Sequence, residues 1–144
     1  MPLIVDANRA GDFRRPVSNH AAEILNRIKQ RRVKIAVGGK LYRELAQTRF
    51  LGLMIELKRI GLLVTIDDAL VFSETKKVEE LKLKSDDPHI LALSRVSGVK
   101  LIYTEDKNLI TDFKDTAIIS PKGKIFSPTT SSKITCALLQ KFGN

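Results

Sequence analysis

The chain is short of several things, and each absence narrows what it can do. Only one of its 144 residues, Cys136, is a cysteine, so it has no intramolecular disulfide and no set of Cys ligands for zinc. Within "ITCALL" that thiol reads as a small core residue rather than a nucleophile. Trp is absent and aromatic residues make up 6% of the chain, so a base-stacking platform is not indicated. No apolar run approaches the roughly 20 residues that a membrane span needs. The opening "MPLIVDANRAGDF" has neither a basic leader nor a long enough apolar stretch for a signal peptide. The expectation is a soluble, cytoplasmic protein with no membrane attachment. Internal repeats and low-complexity tracts are also missing. At 43% hydrophobic content, 144 residues suffice for one core, so a single domain over 1–144 is expected.

Positive charge, by contrast, is plentiful. Twenty-five Lys and Arg against 16 Asp and Glu leave a formal charge of +9, which favours a polyanionic partner such as nucleic acid through counterion release. The basic residues gather in "RAGDFRR" (9–15) and "NRIKQRRVK" (26–34). In "ETKKVEELKLK" (74–84) acids interleave, and a solvated helix face is the plainer account. With so few aromatics, phosphate contacts would dominate any RNA binding. Arg9, Arg14 and Arg15 are the candidates nearest the first acidic residue.

Short apolar runs alternate with helical patterns. "PLIV" (2–5), "VKIAV" (33–37), "LLVTI" (62–66), "VKLIY" (99–103) and "AIIS" (117–120) read as strands. Helices are expected over 18–31, with Ser18 as cap and Ala22, Ile24, Leu25 and Ile28 as the apolar stripe, and over 40–47, 49–61, 68–83, 88–97, 106–113 and 133–142. Strands that are apolar throughout and alternate with helices argue for a parallel sheet of about five strands covered on both faces, a three-layer α/β/α fold. In such sheets ligands bind outside the carboxyl ends of the strands.

Four carboxylates belong at that edge. Asp6 follows the first strand and Asp106 the fourth, Asp87 opens the helix leading into the fourth strand, and Glu44 sits early in the helix after the second. Each alone has an ordinary explanation: Asp before Pro88 is a standard helix start, Asp106 is another cap, Asp6 a turn former and Glu44 a solvated helix acid. Together they crowd like charges at one rim, which raises their pKa values unless a cation neutralises them. Mg²⁺ or Mn²⁺, hard cations with oxygen ligands, would do so and would suit phosphodiester hydrolysis. No base stands in a recognisable arrangement beside Ser120, Thr129, Thr130 or Ser131. Gly38-Gly39 lacks the pattern of a phosphate-binding loop, His89 reads as a structural or supporting histidine, and His20 as a surface residue. A receiver-like phosphoacceptor domain is disfavoured because Asp6 has no neighbouring acidic pair.

"LIVDAN", "LYREL", "SDDPHILALSRVSG" and "LIYTEDKNLITDF" resemble, in type, order and spacing, the PIN-domain family of metal-dependent nucleases, which includes VapC-like toxins; the likeness runs over about residues 3–125. It implies cleavage of single-stranded RNA with Mg²⁺ or Mn²⁺. Asp6, Glu44, Asp87 and Asp106 would be the metal-holding, catalytic acids. In supporting positions stand Asn8, Thr104 and Asp112, with Asp86 as the alternative to Asp87 and Glu105 an added charge facing solvent. The resemblance also implies a homodimer, for which the apolar stripe of helix 49–60 (Phe50, Leu51, Leu53, Met54, Leu57) is the candidate surface, although core packing explains the same stripe. An antitoxin protein would be a further partner if the chain is a toxin. Its motifs look more like stand-alone prokaryotic PIN proteins. A nucleic-acid-binding module with a vestigial site is the alternative from another class.

Overall fold

The computed structural model describes residues 1–126; the expected helix 133–142, the expected core position of Cys136, and Thr129, Thr130 and Ser131 lie outside the described residues. Five strands, β1 (Pro2–Val5), β2 (Lys34–Gly38), β3 (Leu63–Ile66), β4 (Leu101–Tyr103) and β5 (Lys124–Phe126), form one sheet in the order β3-β2-β1-β4-β5. Every pairing is parallel. A 3-10 turn over Ala7–Phe13 and six helices surround it: α1 (Asn19–Lys29), α2 (Gly39–Ala46), α3 (Phe50–Arg59), α4 (Asp68–Glu79), α5 (Pro88–Ser97) and α6 (Lys107–Phe113). This is the expected three-layer α/β/α architecture.

The strand order decides where a site can be. The chain winds outward from β1 through β2 to β3, then returns to the other side of β1 with β4. Winding therefore reverses between β1 and β4, and the crevice outside the carboxyl ends of two such strands is where doubly wound sheets take ligands. The central strands are apolar on both faces because both are covered: Leu3, Ile4 and Val5, Ile35 to Val37, and Leu101 to Tyr103 are all buried. Strand β3, at the edge, leaves Thr65 exposed.

Several boundaries and faces differ from expectation. "AIIS" makes no strand. The Asp115 carboxylate accepts the Ala117 N–H, and its carbonyl accepts those of Ile118 and Ile119, which closes a turn that still buries both isoleucines; the fifth strand is "KIF" instead. Helix α4 stops at Glu79 rather than 83, since the next stretch gives its Lys84 and Ser85 N–H groups to the Asp112 carboxylate. In α1, Ser18 caps by accepting the Ala21 N–H, but the inward stripe is Ala21, Ile24 and Ile28 with Leu25 partly buried, and Ala22 faces solvent. In α3, Phe50, Met54 and Leu57 point into the core, while Leu51 and Ile55 remain outside. His20 is half-buried, its ring edge-on to Phe126 at 6.0 Å.

The Gly38-Gly39 pair is explained by close approach. A Cβ on Gly38 would stand 2.9 Å from the Ile66 carbonyl oxygen, and one on Gly39, whose φ is +58°, would stand 2.8 Å from Val71 Cγ1. The turn from β2 into α2 is thus pressed against β3 and α4. Gly39→Ala is expected to lower unfolding stability by about 2 kcal/mol, through left-handed strain and overpacking. Gly52→Ala, in α3 with open space around the added methyl, should raise it by up to about 1 kcal/mol. Urea unfolding of both variants checks the pair, and equal effects would contradict the packing described.

Candidate active site

Asp6 ends β1 with 3% of its surface exposed. One carboxylate oxygen accepts the Asn8 N–H at 3.2 Å, and the other accepts the Thr104 hydroxyl at 2.7 Å. The same Thr104 oxygen accepts the Asp106 N–H at 3.1 Å. Asp106 then caps α6, taking the N–H groups of Asn108 and Leu109. One buried hydroxyl thereby locks together the residues that follow β1 and β4, the strands on either side of the winding reversal.

Glu44 projects from α2 and is partly exposed; its Oε1 stands 2.9 Å from Nε2 of His89, which is buried in the first turn of α5. Histidine 89 is therefore a supporting residue, holding an acid 45 positions away. Asp87 precedes α5 at the N-cap position but makes no side-chain cap bond, so the capping role expected for it is not realised. Pro88 at the start of the helix has no N–H of its own to leave unpaired. The Asp87 carboxyl is held above its ordinary range, chiefly by burial; the pull of His89 opposes the rise, and the nearby charges of Asp6, Asp106 and Glu44 add to it. All four acids consequently share one electrostatic neighbourhood. Asp86 is exposed, and the three other acids act on the half-buried Asp87, which favours Asp87 as the residue belonging to the group.

The supporting candidates divide. Thr104 is fully buried at the centre of the cluster. Asn8 contributes its backbone N–H, while its side chain is at the surface. Asp112 is outside the cluster: 1% exposed, it accepts the Lys84 N–H at 2.9 Å and the Ser85 N–H at 2.8 Å. It clasps the segment that delivers Asp87. Of the three arginines, Arg9 is already engaged, with Nη1 2.8 Å from Glu105 and 3.5 Å from Asp12. Glu105 therefore faces this ion pair rather than open solvent, and Asp12 in turn accepts the Tyr103 hydroxyl at 2.6 Å. Arg14 and Arg15 are exposed and form no ion pair among the described residues.

Among the described residues no three His, Cys, Asp or Glu side chains stand as a ready ligand group for a metal ion. The donor set nevertheless suits a hard divalent cation. It is all oxygen, its members raise the proton affinity of Asp87, and among the described residues no Lys or Arg is paired with any of the four acids. A preformed shell of three is also more than Mg²⁺ requires, since that ion keeps several waters and is typically held by one or two carboxylates. Searches against protein-family models, curated proteins and solved structures find no match to the chain.

Two outcomes test the site's physics. Because the folded-state pKa of Asp87 is raised, a stability penalty builds as pH rises through the carboxylate range and is complete above the folded pKa; below about pH 3 it is absent. Asp87→Asn should therefore stabilise the metal-free fold at pH 7, by less than about 1 kcal/mol because the group is half-exposed and screened. That gain should vanish at acid pH. Thermal melts in EDTA at both pH values check this, and a variant less stable at pH 7 would contradict it. Asp112→Ala should cost about 3 kcal/mol in urea unfolding by stripping two backbone donors of a charged acceptor, with Asp112→Asn between it and the wild type.

Proposed function

We propose that this protein is a metal-dependent endoribonuclease of the PIN type, cutting single-stranded RNA with Mg²⁺ or Mn²⁺. The observation that carries the reading is that Asp6, Glu44 and Asp106 come within electrostatic reach of Asp87 at the carboxyl edge of a parallel sheet, in a chain of formal charge +9. Four acids so placed repel a phosphate on their own, so seating the scissile phosphate among them, as distinct from holding the rest of the strand, calls for a cation between.

When bound, the divalent ion would activate water and offset the charge that develops on the phosphate during hydrolysis. Asp6, Asp87 and Asp106, with Glu44, would hold it. The remaining work falls to the chain itself. Thr104 fixes the Asp6 carboxylate by donating to one oxygen, which leaves the other held only by the long Asn8 contact. His89 fixes Glu44 through Oε1. Asp87, uncommitted to its helix, is free to turn toward its three neighbours. Arg14 and Arg15, exposed beyond the 3-10 turn, would meet the RNA backbone, and Arg9 would not unless Glu105 released it.

The test is cleavage of a mixed pool of single-stranded and structured RNAs with Mn²⁺ or Mg²⁺, against EDTA. Metal-dependent cuts should appear with the wild type and disappear with Asp6→Asn and Asp87→Asn. His89→Ala should lower the rate about 10- to 100-fold while the protein remains folded, as expected for a residue that orients a ligand. RNA binding that survives EDTA and loss of the acids, with no cleavage under any metal, would instead support a binding module.

A further inference from the structure

We infer that a cavity one strand outward from the acidic crevice receives a single nucleotide of the RNA, stacking its base on Phe72 and holding its phosphate at Lys40. The inference rests on the RNA reading above for the identity of the polymer. The cavity measures about 450 Å³, within the range of small-ligand pockets, and its walls include Lys40, Arg43, Val71, Phe72, Thr75 and His89. It lies at the same edge of the sheet as the acids, because α2 begins directly after β2 and α4 one residue beyond β3.

Four features point to a nucleotide. Phe72 is 64% exposed, the most exposed large apolar side chain among the described residues, in a chain with few aromatics to spare. The Lys76 ammonium stands 4.6 Å from its ring centroid, so an aromatic face and a cation are offered together. Base stacking on an exposed ring is tolerant of sequence and needs only such a face. Lys40 forms no ion pair among the described residues, whereas the one acid in the wall, Asp68, is occupied: its oxygens accept the Gly39 N–H at 2.9 Å and Arg43 Nη1 at 3.1 Å. The cavity thus presents net positive charge around an apolar wall, which complements a phosphate attached to a base.

The fourth feature ties the cavity to the crevice. His89 is a wall of the first and, through Nε2, the hydrogen-bond partner of Glu44 in the second. A nucleotide seated against His89 places the next phosphate of the strand toward Glu44, so the pocket sets the register of the strand across the acids.

The experiment is fluorescence anisotropy in EDTA, with a 5′-fluorescein-labelled ten-nucleotide single-stranded RNA and a set of the same RNA carrying one abasic spacer at each position. Phe72→Ala should weaken binding of the intact RNA on the order of tenfold. Lys40→Ala should weaken it less and reduce the dependence of log affinity on log salt by about one. Leu70→Ala, an exposed change on the same helix, should leave binding within twofold. One abasic position should weaken wild-type binding as much as Phe72→Ala does, and the two losses should not multiply. A loss under twofold for Phe72→Ala, or losses that multiply at every abasic position, overturns the proposal. So does a Phe72→Ala variant that changes oligomeric state while keeping RNA affinity, which would make the surface a contact between copies. Cleavage with Mn²⁺, measured on the same proteins, separates the two readings. Unchanged KM in Phe72→Ala with cutting intact removes the pocket and keeps the nuclease. The abasic signature without cutting keeps the pocket and removes the nuclease.

Discussion

One oxygen atom, the Thr104 hydroxyl, donates to Asp6 and accepts from the backbone N–H of Asp106, and the placement of both acids depends on it. Its own position follows from the sheet: Thr104 N–H bonds to the Phe126 carbonyl, and Asp6 N–H to that of Tyr103. The hydrogen-bond ladder of β1, β4 and β5 therefore continues one residue past the strands and ends in side chains. Parallel pairing supplies this register without further specification, since adjacent strands finish at the same edge. A hydroxyl at this position satisfies a buried carboxylate without bringing in a positive charge. A lysine there would satisfy Asp6 as well but would occupy the place of any cation.

That economy extends around the rim. Two arginines near the acids in sequence are committed elsewhere, Arg9 to Glu105 and Asp12, Arg43 to Asp68. Among the described residues, the basic side chain paired with one of the four acids is His89, on Glu44. Exposed pairs such as Arg43 with Asp68 add little to stability. Their effect here is on the distribution of charge: they keep guanidinium groups away from the crevice while the chain as a whole stays strongly cationic.

The sequence makes the scaffold legible because its signals are local. Apolar runs 2–5 and 33–37 become β1 and β2 almost residue for residue, and Asp87-Pro88 before a periodic apolar stretch marks the start of α5 where it is found. The fifth strand was not legible. "AIIS" and "KIF" are comparable as strand formers, and the choice is made by Asp115, whose side chain and carbonyl collect three N–H groups of the first segment. Within the candidate site, residue types in order single out four acids that the fold brings near one another, but the partners that orient them do not announce themselves. His89 meets Glu44 across 45 positions and Arg9 meets Glu105 across 96, distances over which only the completed fold brings side chains together. The role of Asp112 was equally hidden. The resemblance makes it a supporting candidate, whereas its oxygens accept the backbone N–H groups of Lys84 and Ser85.

Asp87 itself shows how the fold frees a residue from its local preference. Ser18, Asp67 and Asp106 stand at helix starts and each accepts N–H groups from its own helix, at a gain of about 1 kcal/mol for a typical cap. Asp87 has the same chemistry and the same position, with backbone dihedrals of −119° and 57°, yet forgoes that gain. Two features make this tolerable. Pro88 removes a donor that would need a partner, and Asp112 takes over the task of fixing the incoming chain, by binding the backbone two and three residues upstream. With the helix start secured from outside, the Asp87 carboxylate stays half-buried in the field of three other acids, where it costs stability as long as nothing cationic joins them. A local rule broken at one position and compensated by two neighbours is the pattern expected where stability has been yielded to a binding task.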